Sequence, residues 1–189
     1  MLIEDGQGSG RTVGITSEHR IKSECITLSM PEHTNILEGN TYTLFSPITP
    51  DGANPSAGIE SPCFFYFKNT NNINMIITQI RVWAESNEYL DIYFGQEGTP
   101  VNGNTATPTN MNLSSGKIAD GTFLGGTRIT GMSGGIHFDR LRIPADDQDH
   151  TYSWKPGIVI PKNNIITIYA GNGGIATEAS ITFYYHEED

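Results

Sequence analysis

Beyond Thr41 the chain reads as one β-prone run after another, each bounded by turn residues. Tyr42-Thr43-Leu44-Phe45 is short and β-prone, and Cys63-Phe64-Phe65-Tyr66-Phe67 is apolar on both faces, as a buried strand would be. In Ile76 to Trp83, Ile76, Ile80 and Val82 share one face while Gln79 and Arg81 take the other. Leu90, Ile92 and Phe94 alternate with Asp91 and Tyr93, and Ile181, Phe183 and Tyr185 alternate with Thr182 and Tyr184 in the run from Ala179 to His186. Further strands are expected over 117–124, 136–143, 157–160 and 165–170. The clusters between them, Asn69-Thr70-Asn71-Asn72, Glu97 to Asn104 and Gly171-Asn172-Gly173-Gly174, have turn chemistry. Eight or nine strands in this length predict an all-β fold, a jelly-roll-like two-sheet β-sandwich rather than an immunoglobulin one. The long stretches 97–116 and 144–153 are expected to be functional or partner-clamped loops. No internal repeat points to a propeller or solenoid.

The first forty residues read differently. All 18 aromatic residues lie in 41–189 and none in 1–40, so the N-terminal segment lacks the side chains that build cores. Gly6, Gly8, Gly10 and Gly14 interrupt any periodicity there. The expectation is an extended N-terminal arm over 1–40, unable to offset its ordering entropy by its own burial, and a sandwich domain over 41–189. One local signal stands out: Ser29-Met30-Pro31-Glu32 has the form of a capping box and Gly39 sits where a helix would end. That predicts a short helix over 30–38.

Composition narrows the function. The chain has 189 residues, 11 basic against 21 acidic, for a net charge of −10, which excludes a nucleic-acid partner that needs cationic surface. No apolar run is long enough to span a membrane, and Met1-Leu2-Ile3-Glu4-Asp5 is not a signal-peptide start. Cys25 and Cys63 are too few and too far apart for a disulfide framework or a CxxC site, and two free thiols are expected.

Candidate chemistry is sparse. Gly6-Gln7-Gly8-Ser9-Gly10-Arg11 lacks the preceding strand and the GK[ST] of a phosphate loop, and Glu4 and Asp5 would repel phosphate. Ser114-Ser115-Gly116-Lys117 matches S-x-x-K without its partner motifs. His19, His33, His137, His150 and His186 show no metal-ligand spacing. Asp146-Asp147-Gln148-Asp149-His150 reads as a solvated acidic loop, with a weak Ca²⁺ or Mg²⁺ site as its alternative. Glu85, Glu88, Asp91 and Asp139 are the carboxylates a glycosidase would draw on, but spacing pairs no two of them across a cleft. Trp83, Trp154 and several tyrosines read as core aromatics, with a sugar-stacking platform as the alternative. The reading is a protein that is not an enzyme and takes no cofactor.

Several segments, in their order along the chain, resemble a known family. Ile3-Glu4-Asp5-Gly6-Gln7-Gly8-Ser9-Gly10, then Val13, then Thr16-Ser17-Glu18-His19-Arg20, Gly39 and Tyr42 resemble the N-terminal arm of tailed-bacteriophage structural proteins, which begin "IEDGTGTG" and continue with a "V-x-S-E-N-R-L"-like segment. Phe64 to Asn69 is similar to "F-Y-F-K-N", and Ile158-Val159-Ile160-Pro161-Lys162 to "F-V-L-P-K-G", with Asn163 in place of the glycine. Asn110-Met111-Asn112 with Ser114-Ser115-Gly116 also looks similar, whereas 125–150 matches little. The resemblance implies a non-enzymatic virion component assembled in the host cytoplasm: a capsid decoration or cement protein, a β-sandwich and often a trimer, that binds the major capsid protein or other virion proteins. Its arm would contact the shell through Ile3, Glu4, Asp5, Gly6, Gly8, Gly10, Val13, Arg20 and Ile21. The alternatives are a tail, baseplate or fibre-adaptor protein, and a carbohydrate-binding β-sandwich module facing a host glycan.

Overall fold

The computed structural model describes residues 2–4, 12–14, 35–48, 62–172 and 174–186. The chain divides into two compact units, Met1–Met30 and Pro31–Asp189. In the first, β1 (Leu2–Glu4) pairs antiparallel with β2 (Thr12–Gly14), placing Ile3 opposite Val13 and Glu4 opposite Thr12. The second begins ten residues before Thr41, where the sandwich boundary was expected. Side chains explain why residues 35–40 belong to it. Asn110 Nδ2 donates to Gly39 O at 2.8 Å, Asn112 Nδ2 to Leu37 O at 2.9 Å, and the Tyr185 amide to Asn40 O at 3.1 Å. Of the helix expected over 30–38, residues 35–37 form a helical turn that ends at Gly39 with φ +71°. Residues 30–34 of that helix, and the capping box before them, lie outside the described residues.

The second unit is an antiparallel β-sandwich. Its strands are β3 (Thr41–Ile48), β4 (Cys63–Asn69), β5 (Asn74–Ala84), β6 (Glu88–Phe94), β7 (Glu97–Val101), β8 (Asn104–Thr105), β9 (Thr109–Asn110), β10 (Gly121–Ser133), β11 (Ile136–Ile143), β12 (His150–Ile160), β13 (Ile165–Ala170) and β14 (Thr177–His186). One sheet has five strands in the order β12-β5-β14-β3-β9. The other has seven, in the order β11-β6-β13-β4-β10-β7, with β8 also pairing β10. The chain changes sheet at each step from β3 to β6 and again from β11 to β14.

Period-two alternation puts the core between the sheets. Tyr42, Leu44, Ile80, Val82, Ile181 and Phe183 come from the five-stranded sheet, and Phe65, Phe67, Leu90, Ile92, Phe123, Ile166 and Ile168 from the seven-stranded one. Phe123 and Phe183 stack across the interior with ring centroids 5.3 Å apart, and fully burying one such ring contributes about 2–3 kcal/mol. At one end of the core, Asn69 is completely buried yet satisfied. Its Nδ2 donates to Ile73 O and Ile160 O, and its Oδ1 accepts from the Asn71 amide, which fixes the 69–73 turn against β12.

The sequence expectation and the structure part company in two places. The stretch 97–116, expected as loop, carries β7, β8 and β9, and β10 runs on to Ser133. Glycines hid this. A Cβ on Gly98 would lie 2.1 Å from Gly131 O, and one on Gly131 would lie 2.2 Å from Thr99 O. The two residues are therefore glycine because the β7 and β10 backbones approach closely, at positive φ, and not because the chain turns there. Likewise β12 begins at His150, inside the expected 144–153 loop, in the polar run His150-Thr151-Tyr152-Ser153.

Candidate functional site: the outward face of the seven-stranded sheet

The seven-stranded sheet carries a second apolar cluster on its outward face, formed by Cys63, Tyr66, Ile129, Met132, Ile165 and Tyr169. In β13 the alternation is strict: Ile166, Ile168 and Ala170 face the main core, while Ile165 and Tyr169 join the outer cluster. In β4 the register shifts at Phe64, so Cys63 and Tyr66 share the outer side despite their odd spacing. Gln96 closes the cluster's polar rim. Its Oε1 accepts from Thr167 Oγ1 at 2.6 Å and Tyr169 OH at 2.9 Å, and its Nε2 donates to Gly134 O at 3.3 Å.

Beside this cluster, on β6 and β11, lies the most concentrated polar chemistry of the described residues. Asp91 and Arg140 are direct cross-strand partners. Arg140 Nε donates to Asp91 Oδ1 at 2.6 Å and Nη2 to Oδ2 at 2.8 Å, a bidentate pair. His137 Nε2 lies 2.8 Å from the same Oδ1. A register shift between His137 and Asp139 brings His137 and Arg140 to one face although they are three residues apart. Burial pushes the Asp91 carboxyl up, but the hydrogen bonds and charges of Arg140 and His137 outweigh it and hold it below the usual carboxylate range. Tyrosines complete the face: Arg140 sits 4.4 Å from the Tyr89 ring centroid, and Tyr93 packs 5.0 Å from His137 and 5.3 Å from Tyr169.

Two hollows flank Arg140. A cleft of about 550 Å³ is lined by Asn87, Glu88, Tyr89, Arg140, Arg142 and Asn172, together with Ile143 and Pro144. A smaller one of about 320 Å³ adjoins Asp91, Tyr93, Gln96, Ser133 and Tyr169. Glu88 is buried at the cleft, where its Oε1 accepts from the Tyr89 and Asn172 amides, both at 2.8 Å. Such a surface can hold a polar guest by hydrogen bonds. Both oxygens of Asp91 are engaged by Arg140 and His137, whereas the buried Glu88 Oε2 has no hydrogen-bond partner among the described residues.

The sequence candidates fare unevenly. Ile3, Glu4 and Val13 lie in the β1–β2 pair, where Ile3 and Val13 are backbone partners in register. Asp5, Gly6, Gly8, Gly10, Arg20 and Ile21 lie outside the described residues, as do Cys25, His19 and His33. Of the four carboxylates, Glu85 is exposed, Glu88 and Asp91 are pinned as above, and Asp139 Oδ2 accepts from Trp154 Nε1 at 3.3 Å. Trp154 packs against the main core and Trp83 is half-buried. Cys63 is buried, its thiol donates to Phe65 O, and burial pushes it up to about 12, which removes it as a nucleophile. Lys117 Nζ donates to Asn40 Oδ1 at 2.9 Å, so the S-x-x-K match forms no nucleophile–base pair.

In the 146–150 loop, Asp146 is taken by His150 at 2.8 Å and Asp149 by Arg81 at 3.8 Å. Among the described residues no three acidic, histidine or cysteine side chains gather where a metal could bind. No described helix is long and apolar enough to cross a membrane.

The residues that sequence reasoning missed are Tyr89, Arg140, Arg142, Asn87 and Asn172. The alternation of β6 announced a polar face at Asp91 and Tyr93, but nothing in the sequence says that β11 lies beside it. No protein-family model matches the chain. Neither a curated protein nor a solved structure matches it.

Proposed function

We propose that the protein is a non-enzymatic structural component of a tailed-bacteriophage virion, a capsid decoration or cement protein held to the outer surface of the head by its N-terminal segment. The observation that carries the reading is the division of the chain at Met30. The segment that holds the phage-like Ile3-Glu4-Asp5-Gly6-Gln7-Gly8-Ser9-Gly10 motif forms its own compact unit, separate from a sandwich whose described residues assemble no catalytic set. Short strands with few core-forming side chains suit a segment that gains main-chain hydrogen bonds from a neighbouring protein, as in strand addition to a sheet edge. The jelly-roll connectivity belongs to the same reading. The order β3-β14-β5-β12 opposite β4-β13-β6-β11, with the chain alternating between sheets, supports it. A homotrimer at a local three-fold position would repeat one contact around the axis and join adjacent capsomers. The acidic balance of the chain suits a position away from packaged nucleic acid.

The test is deletion of residues 1–30. The truncated protein should keep the circular dichroism and cooperative melting of a folded sandwich, yet be missing from purified particles assembled in cells that supply it. Incorporation equal to that of the full chain would overturn the anchoring role. Copy number in particles separates the head from the tail: a shell protein is present in hundreds, a tail fitting in about a dozen.

A further inference from the structure

We propose that the cleft between Asn87, Tyr89, Arg140, Arg142, Pro144 and Asn172 binds an acidic saccharide, with the sugar's anionic substituent on the arginines and its hydroxyls on the two asparagines. The inference does not depend on a virion role. It starts from charge. The chain is acidic overall, with 11 Lys and Arg against 21 Asp and Glu, yet two arginines from one strand line this single cleft. Arg140 is neutralised by Asp91, but only its Nε and Nη2 are used, leaving Nη1 without a hydrogen-bond partner among the described residues. Arg142 is exposed and makes no ion pair among the described residues. Together they offer a carboxylate or sulfate charge-assisted hydrogen bonds in the fork geometry that guanidinium groups favour.

The asparagines turn an anion site into a sugar site. Asn87 Oδ1 accepts from the Ala145 amide at 2.9 Å, and Asn172 Nδ2 donates to Asn87 O at 2.8 Å. Those bonds fix both side chains and leave Asn87 Nδ2 and the second N–H of Asn172 Nδ2 as donors, with Asn172 Oδ1 as an acceptor. A hydroxyl both donates and accepts, so vicinal sugar hydroxyls spaced along a ring can serve both asparagines at once, which the one or two protons of a single inorganic phosphate cannot do while its charge sits on the arginines. Glu88 also lines the cleft: its Oε1 is held by two main-chain amides, but its buried Oε2 has no hydrogen-bond partner among the described residues and is an acceptor that a sugar hydroxyl can serve and a bare anion cannot.

The wall is also fixed before any guest arrives. Tyr89 lies between the Arg140 guanidinium and Gly171, where a Cβ would come within 1.8 Å of the ring. Tyr89 and Arg140 therefore have little side-chain entropy left to lose on binding, whereas the exposed Arg142 is ordered by the guest itself. The volume, about 550 Å³, is in the range of small-ligand clefts, and the second hollow across Arg140 gives an oligosaccharide room to continue.

The experiment is a heteronuclear NMR titration of the full chain with trigalacturonate, sialyllactose and a sulfated disaccharide, alongside maltotriose and inorganic phosphate. At least one acidic sugar should shift amide signals around 87–89, 140–144 and 171–172 and leave β14 unmoved. Arg142→Gln should weaken that sugar about tenfold or more, as loss of a charge-assisted bond implies. Asn87→Ala should weaken it as well, whereas Arg81→Gln on the other sheet should not. Silence from all three acidic sugars at about 10 mM, above the range of even weak single-site binding, would overturn the proposal. So would maltotriose or phosphate binding as tightly as the best acidic sugar, or affinity unchanged in Arg142→Gln.

Discussion

The two sheets of the sandwich share one core but present opposite outward faces. The seven-stranded sheet buries apolar side chains on both sides: Phe65, Phe67 and Ile166 inward, Cys63, Tyr66, Ile165 and Tyr169 outward. The middle of the five-stranded sheet's outward face is polar instead, with Thr43, Gln79, Ser180 and Thr182 half-buried and Arg81 exposed. The difference is instructive because it locates recognition. A sheet face already stiffened by packed tyrosines and a bidentate ion pair can hold polar groups in fixed positions, whereas short half-buried hydroxyl side chains supply no fixed charge. The candidate cleft lies beside the packed face.

The sharpest way to break this comparison is to truncate one residue on each face. Tyr66 is 2% exposed, and Tyr66→Ala should cost about 3 kcal/mol, as for other buried aromatics. Gln79→Ala should stay within about 0.5 kcal/mol, the usual range for substitutions away from packed features. Urea denaturation with unchanged m-values reads both. Equal costs would mean that the outer cluster is not a second core.

Asp91 should come next. Asp91→Ala leaves the Arg140 guanidinium and His137 without their shared acceptor, and about 2 kcal/mol is expected, tempered by the half-exposure of Arg140. The pH dependence has a definite sign. Because the folded carboxyl is held below its ordinary value, Asp91 contributes its full stabilisation above about pH 4, where an unfolded aspartate is ionised. That contribution is lost as pH falls through the folded value. The stability difference between wild type and Asp91→Asn should therefore be flat near neutrality and shrink in acid. A difference that grew on acidification would contradict the assignment.

These residues also show how far the sequence reaches. Cys63 to Phe67 reads as buried on both faces, and it is the strand shared by the two clusters. The alternation of Leu90, Ile92 and Phe94 against Asp91 and Tyr93 gives β6 its two faces correctly. Partnership was illegible. Asp91 meets Arg140 because β11 pairs with β6 across a separation of 49 residues, and His137 joins them because a bulge changes the parity of β11. Bulges depend on both strands at once, and period-two counting along one strand cannot see them. Strand β7 and the first part of β12, ahead of the expected 157–160, were missed for a related reason. Gly98 of β7 and the polar start of β12 serve backbone approach and an exposed edge, and both resemble turn chemistry when read locally.

Gly171→Ala sharpens the contrast at the cleft itself. Its Cβ would collide with the Tyr89 ring, so the ring must swing and its packing on Arg140 must loosen. The cost should be about 1 kcal/mol, at the low end for overpacking, because a tyrosine ring can move. Acidic-sugar affinity should fall with it if Arg140 has to be held in place before binding. Unchanged affinity alongside reduced stability would assign Tyr89 to packing alone.

The smallest effect belongs to the other sheet. Thr43 Oγ1 and Ser180 Oγ lie 3.2 Å apart on its outward face, a half-buried hydroxyl pair on neighbouring strands. Ser180→Ala should cost only a few tenths of a kcal/mol, because solvent can serve the Thr43 hydroxyl left behind and the methyl group suits the strand. A loss above about 1 kcal/mol would mean that this hydroxyl stays sealed from water after the substitution, with its desolvation uncompensated. The five-stranded face would then be a covered surface, and the search for its cover would turn to the other residues of the chain or to a second subunit. A loss within the expected range leaves it an open polar face, on which nothing needs to pack for the sandwich to stand.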